Sequence, residues 1–254
     1  FNNEIGLPLT LFDLRPFHEI CVVEMGMRGP GEIAKLAEVV SPEVAVITNI
    51  GISHIERLHS RENIARAKLE LLEFLNETGL AILNADMADL EPLNKFRSTK
   101  KIFYGAERGD LIAVDIRSLG TDGMKFKIEG DYGNVSFKIP LPGLHNVYNA
   151  LAAIATGFHF KLTLEQVTRG LEKLKPGHMR LEVKKSPSGA LIIDDSYNAS
   201  PDSVEAALDF LKTLGKCRGA VLGDMLELGE YAKEAHFRIG HLTAKSADVL
   251  LAVG

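Results

Sequence analysis

Short apolar runs alternate with stretches of helical spacing along this chain, and the alternation starts twice. Ile20 to Glu24, Val44 to Thr48 and Leu80 to Asn84 read as buried strands, with helices from about Gly31 and about Arg61 between them. That order predicts an α/β fold, a mostly parallel sheet flanked by helices. From Ile102 to Ile139 the strands shorten and are broken by Thr121-Asp122-Gly123 and Gly130-Asp131-Tyr132-Gly133, the mark of an antiparallel excursion. Helices follow from about Leu144 and over Leu164 to Leu174, and Lys175-Pro176-Gly177 ends the pattern.

Beyond that break the alternation begins again. Strands are expected at Leu181 to Lys184 and Ala190 to Asp194, joined by the hairpin turn Ser186-Pro187-Ser188-Gly189. A helix at Pro201 to Leu214, a strand at Gly219 to Leu222, a helix from about Glu230 to Lys245 and a strand at Val249 to Val253 complete the series. Two domains are therefore expected, residues 1–177 and residues 178–254.

Ligands of such sheets sit beyond the carboxyl ends of strands, so polar residues at those ends are the candidates for chemistry. The richest stretch is Leu191 to Ser203, where a strand expected to be buried runs into Asp194, Asp195, Ser196, Tyr197 and Asn198. Ser200 with Pro201 and Asp202 then forms a helix start, a cap followed by Pro and an early acid. A second candidate is Glu24 with the glycine-rich approach Gly29-Pro30-Gly31-Glu32. A third is Thr48-Asn49-Ile50-Gly51-Ile52-Ser53-His54-Ile55-Glu56. His54, Glu56 and His59 lack the spacing of a zinc helix motif, and no cysteine joins them; Glu24 with His54 suits a hard divalent cation better. In Leu141 to Ala150, Pro-Gly precedes a helix carrying His145, Asn146 and Asn149. The two asparagines lie three apart on one face, free either to cap or to meet a base or sugar. Lys68, in Arg66-Ala67-Lys68-Leu69-Glu70, reads by itself as a solvated helical lysine. Neither G-x-G-x-x-G nor G-x-x-x-x-G-K-[ST] occurs in the sequence.

Composition sets outer limits. With 254 residues, 46% of them hydrophobic, the chain can bury a sizeable core, and a net charge of -5 gives no reason to expect nucleic acid as a partner. Cys21 and Cys217 sit in or beside apolar runs, which predicts buried free thiols in a reducing compartment, the cytoplasm. No apolar run is long enough to predict a membrane span, and no secretory leader is visible. Phe1 in place of a Met and the apolar close at Val249 to Val253 suggest a fragment of a longer polypeptide.

Taken together, these residues resemble the Mur ligase family of ATP-dependent amide-bond ligases. The most specific match is Asp194-Asp195-Ser196-Tyr197-Asn198-Ala199-Ser200-Pro201-Asp202-Ser203. It is supported by Asn2-Asn3-Glu4-Ile5-Gly6-Leu7-Pro8-Leu9-Thr10, Glu24-Met25-Gly26-Met27, Thr48-Asn49-Ile50-Gly51 with His54, and Gly223-Asp224-Met225-Leu226-Glu227-Leu228-Gly229 with His236. The resemblance implies a P-loop NTPase-like central domain and part of a Rossmann-like C-terminal domain. The branch it implies joins D-alanyl-D-alanine to UDP-N-acetylmuramoyl-tripeptide through an acyl phosphate, with ATP and Mg²⁺, as a cytoplasmic monomer.

Residue by residue, the resemblance makes Glu24 and His54 metal ligands and Lys68 a carbamylated lysine that joins them. Asn49 is placed near the phosphates, and His145, Asn146 and Asn149 on the adenine side. Arg180 reaches the phosphates from the C-terminal domain, and Asp195 holds the ribose. Tyr197 and Asn198 lie against the nucleotide, and Asp224 and His236 on the amino-substrate side. The family's P-loop is expected just before Phe1, so the 254-residue chain alone is expected to lack ligase activity. Rival readings are a sister ligase, a folylpolyglutamate synthetase, or a nucleotide-binding domain without catalysis. Ser196-Tyr197-Asn198-Ala199 speaks against the first two.

Overall fold

The computed structural model describes residues 2–87, 91–97, 99–215 and 217–254. In chain order its helices and strands are α1 (Gly6–Phe12), α2 (Glu32–Val40), β1 (Val44–Ile47), α3 (Ile55–Leu58), α4 (Arg61–Leu69), β2 (Leu80–Asn84), β3 (Lys100–Gly105), β4 (Leu111–Ser118), β5 (Met124–Gly130), β6 (Val135–Ile139), α5 (Leu144–His159), α6 (Leu164–Glu172), β7 (Glu182–Lys185), β8 (Leu191–Asp194), α7 (Pro201–Thr213), β9 (Gly219–Gly223), α8 (Ala232–Ser246) and β10 (Val249–Val253). Strands β1 to β6 form one sheet in chain order; β7 with β8 and β9 with β10 form two-stranded sheets. The expected α/β class holds.

By compactness the chain divides into two units, Phe1–Leu83 with Met87–Ile102, and Asn84–Asp86 with Phe103–Gly254. In the first, β1 and β2 pair in parallel from Val44 opposite Leu80 to Ile47 opposite Leu83. All five residues of β2 are buried, as a strand covered on both faces requires. Ile33, Leu36 and Ala37 turn the apolar face of α2 inward, and Ile64, Ala65, Ala67 and Leu69 do the same for α4. Ser60 caps α4 by accepting from the Asn63 N–H.

In the second unit β3 and β4 are parallel, while β4, β5 and β6 form an antiparallel meander. This is the excursion that the Asp-Gly turns predict. Alternate residues of β5, Met124, Phe126 and Ile128, are buried, and Phe126 stacks on its cross-strand partner Phe137. The hairpin of β7 and β8 and the parallel pair of β9 and β10 fall where the restarted alternation puts them. Ser200 and Ser203 close a capping box at the start of α7, with Pro201 in its first turn.

Three expectations fail. Residues 20–24 form no strand among the described residues, and Val22 is 85% exposed. An apolar run becomes a strand only where a neighbour completes its ladder. Cys21, in that stretch, and Cys217, in the turn before β9, are free but exposed rather than buried. The strand at β8 forms, yet Leu191 and Ile192 stay half exposed, because a two-stranded ribbon does not by itself cover either of its faces. The sequence reading also passes over α1, whose first amides, those of Ile5 and Gly6, donate to Asn3 Oδ1.

Candidate functional site

In the first unit the candidate residues lie on the segments that follow or precede regular elements. Glu24 is exposed, and Asn2 Nδ2 donates to its Oε1 at 2.8 Å; the Gly26 N–H donates to Asn2 O at 2.8 Å. His54 stands before α3 with φ +64 and His59 after it with φ +65, so the single turn of α3 is bracketed by two left-handed residues. Two such positions around one short turn make the 54–59 segment costly to form, a cost the surrounding contacts must meet.

Lys68 departs furthest from its ordinary reading. Its Nζ donates to Asn49 O, in the loop after β1, at 2.6 Å, and burial lowers the amine's pKa below the usual lysine value. The helix thus presents an amine biased toward its neutral, nucleophilic form beside the strand end that carries Asn49. Among the described residues no group of three or more His, Cys, Asp and Glu is poised to hold a metal. Glu24 offers carboxylate oxygens and His54 ring nitrogens on separate segments of this unit.

Two residues further along, Glu70 does something the sequence does not announce. The α2 helix has no side-chain cap of its own at Gly31, and Glu70 supplies one from the end of α4. Its Oε1 accepts from the Gly31 N–H at 2.8 Å and its Oε2 from the Ala34 N–H at 3.2 Å. The periodicity of α4 shows only that Glu70 lies off the Lys68 face. A cleft of about 670 Å³ runs along α4, lined in part by Arg57, His59, Glu62, Arg66, Glu70 and Lys95. Its Arg66 pairs with Glu62 and its Lys95 with Glu73.

In the second unit α5 begins at Gly143, whose φ of +92 and close approach to the His145 ring leave no room for a Cβ. His145 Nδ1 is buried without a hydrogen-bond partner among the described residues, and burial lowers the ring's pKa. Asn146 Nδ2 donates to Pro142 O at 2.7 Å and Asn149 Nδ2 to Asn146 Oδ1 at 3.3 Å. Asn146 therefore ties the helix start back to Pro142 without capping its amides, which have no side-chain cap, and Asn149 remains exposed. Between them Tyr148 donates to Asp86 Oδ2 at 3.0 Å. Asp86 also takes the N–H groups of Ala106, Glu107 and Arg108, so one carboxylate after β2 organises the turn after β3 and anchors α5. Sequence reasoning missed Asp86, although it is another acid at a strand end.

Arg180 is held up by a strained turn. Met179 at φ +58 and Leu181 at φ +45 flank it, both in the left-handed region that bulky residues avoid. The Leu181 N–H donates to Asp195 Oδ1 at 2.9 Å and the Tyr197 N–H to Met179 O at 3.2 Å. The guanidinium lies over the Tyr197 ring. Burial raises the Asp195 pKa, against the lowering effect of that Leu181 N–H. Asn198 is exposed just before α7.

His236, on α8, is wired to backbone on both sides. Its Nδ1 lies 2.7 Å from Ala232 O, which can only accept, so the proton sits on Nδ1; its Nε2 accepts from the Met225 N–H at 3.1 Å. Asp224 Oδ1 is 3.8 Å from Nε2.

The chain is similar to known proteins. The Mur ligase middle domain model matches residues 1–157, and the Mur ligase, glutamate ligase domain model matches residues 179–254. The UDP-N-acetylmuramoyl-tripeptide--D-alanyl-D-alanine ligase of Bacillus subtilis (strain 168) is 44% identical over 245 residues, covering 94% of this chain and 52% of its own. A crystal structure of MurF from Acinetobacter baumannii superposes with a TM-score of 0.94 at 33% identity, over all of this chain and 56% of that one. MurF from Thermotoga maritima, solved in complex with ADP, superposes with a TM-score of 0.89 at 30% identity, over 99% of this chain and 58% of that one. The chain spans about half the length of the curated relatives it matches.

Proposed function

The chain belongs to the Mur ligase family, and from that premise we propose that it works in the ATP-dependent ligase joining D-alanyl-D-alanine to UDP-N-acetylmuramoyl-tripeptide. In that reaction a phosphoryl group passes from ATP to the terminal carboxylate of the tripeptide. The dipeptide's amine attacks the resulting acyl phosphate and expels phosphate, leaving an amide and ADP. The acceptor is taken from the relatives, whose printed names specify this dipeptide.

The observation that carries the reading is the half-buried amine of Lys68 against Asn49 O. A lysine of lowered pKa at a strand end suits attack on CO₂, and the carbamate completes with Glu24 and His54 a donor set that fits a hard divalent cation. Mg²⁺ held there would neutralise charge on the transferring phosphoryl group. Asn49 would approach the phosphates by its side chain while its carbonyl orients Lys68. His145 offers its unpaired Nδ1, and Asn146 and Asn149 the helix face, to the adenine side.

In the C-terminal part, Arg180 would bring its stacked guanidinium to the phosphates, with Asp195 on the ribose and Tyr197 and Asn198 beside the nucleotide. Asp224 and His236 would face the amino substrate, His236 fixing the 224–225 backbone by its Nε2. We place the central ATP-binding domain at residues 1–177 and the C-terminal domain at 178–254. We assign the work to a monomer in the cytoplasm, where ATP is at hand and thiols such as Cys21 and Cys217 stay reduced. Among the described residues no helix is long and apolar enough to cross a membrane.

The test is ADP release by the protein expressed from its complete coding sequence, given ATP, Mg²⁺ and UDP-N-acetylmuramoyl-tripeptide. Release that depends on D-alanyl-D-alanine supports the assignment. Release with a single amino acid instead moves the protein to a sister ligase, and none with any acceptor favours a binding domain without catalysis.

A further inference from the structure

We propose that Glu70 is a positioning residue, whose carboxylate locks the segment bearing Glu24 to the helix bearing Lys68. The inference rests on the reading of Glu24 and Lys68 as members of one metal site. Residues 68 and 70 leave the end of α4 in different directions: Lys68 reaches Asn49 O, and Glu70 reaches the first turn of α2. Among the described residues the backbone between Glu24 and α2 makes two other ties, one of them to Asn2, which also holds Glu24 itself. The Gly26 N–H meets Asn2 O at 2.8 Å, and the Arg28 N–H meets Glu32 Oε2 at 2.7 Å. Neither tie reaches α4.

Glu70 does reach across, 39 residues back along the chain, with both oxygens used. Two bonds from one rigid carboxylate set the position and the angle of the α2 start, where a single bond would leave rotation free. The N-cap residue Gly31, at a left-handed φ of +79, has no side chain to cap the α2 amides, and Glu70 supplies the acceptor instead. With Glu70 gone, the 24–31 segment loses its hydrogen-bonded tie to the Lys68 helix, and apolar packing of α2 alone, which sets no angle, is left to orient it. Partners one step removed from a metal commonly govern its affinity by tenfold to a hundredfold.

The experiment compares Glu70→Ala, Glu70→Gln and Lys68→Ala in the protein expressed from its complete coding sequence. Mn²⁺ titration in the presence of ADP, followed by electron paramagnetic resonance, reads the divalent site without turnover. The kcat and the KM for D-alanyl-D-alanine are measured beside it. Glu70→Ala should weaken Mn²⁺ binding and lower kcat, each by about tenfold or more, and leave that KM unchanged. Glu70→Gln keeps one acceptor oxygen and should fall between Glu70→Ala and the parent; should Glu70→Ala not fold, a Glu70→Gln loss of Mn²⁺ affinity carries the same weight. A Glu70 variant that is merely less stable, with the parent's Mn²⁺ affinity and kcat, overturns the inference. Lys68→Ala separates the two claims. If it abolishes Mn²⁺ binding and turnover while the Glu70 variants keep both, only the positioning role fails; if it too behaves as the parent, the metal-site reading fails and takes this inference with it.

Discussion

The guanidinium carbon of Arg180 sits 4.0 Å from the centre of the Tyr197 ring. The stack and the left-handed residues on either side restrict where the cation points, which under the proposed function would preorganise it for phosphate. Arg180→Lys keeps the charge but loses the planar group that stacks and forks, so it should raise the KM for ATP severalfold or more. Tyr197→Phe keeps the ring face and should be nearly neutral, whereas Tyr197→Ala removes about 0.5–1 kcal/mol of cation–ring attraction and should raise the KM by a few-fold. Steady-state kinetics on the three variants checks the order; equal effects from Phe and Ala at 197 would exclude the stack.

Lys68 should form a carbamate with dissolved CO₂. Burial lowers its pKa, so the neutral fraction at any pH below the usual lysine range exceeds that of a solvated lysine, and it grows as pH rises. In ¹³C-bicarbonate a carbamate carbonyl signal should appear and strengthen from pH 7 to 9, and Lys68→Arg should abolish it. If the carbamate joins the proposed metal site, Lys68→Ala should lower turnover of the protein expressed from its complete coding sequence by about tenfold to a hundredfold or more. A parent-like rate would remove the carbamate from the mechanism.

How much of this was legible beforehand differs from residue to residue. The start of α7 could be read because Ser200, Pro201 and Ser203 act on their own neighbours, and local chemistry survives into the fold. The strand at 20–24 could not, because a strand depends on a partner that its own residues do not specify. The same holds for the coverage of β8, where Leu191 and Ile192 carry the composition of a core strand but have β7 alone beside them. Lys68 was visible only through the family resemblance, since nothing in Arg66 to Glu70 says which side of α4 meets the loop after β1. Glu70 and Asp86 were not visible at all. Each caps backbone amides far off in sequence, a relation that periodicity does not encode.

The β7–β8 hairpin should carry its own acid response. Lys184 Nζ is 2.7 Å from Asp194 Oδ2, and with Ser196 it holds the Asp194 pKa down to about 2. A carboxyl depressed on folding adds stability that is complete above its unfolded value near 4. That stability is lost as pH falls through the folded value, here from about 4 to about 2. The Asp194 carboxyl carbon, followed by NMR, should titrate at about 2 in the parent and move up toward the ordinary aspartate range in Lys184→Gln. An unmoved midpoint would assign the depression to Ser196 instead.

Tyr148 and Asp86 make the most direct test of what seats α5. The phenol is pushed up to about 12, first by burial and then by Asp86, so it stays a donor throughout the neutral range. Tyr148→Phe removes that donor and leaves Asp86 with its three backbone N–H partners, so the loss should be about 1.5–3 kcal/mol, the cost of one hydrogen bond to a charged acceptor. Asp86→Ala strands those N–H groups as well as the phenol and should cost more than Tyr148→Phe in denaturant titration. Because His145 and Asn149 sit on the same helix, both variants should weaken ADP binding measured by calorimetry, in that order of severity. Loss of stability with ADP affinity unchanged would show that α5 keeps its place without the Asp86 anchor, and would detach this network from the nucleotide.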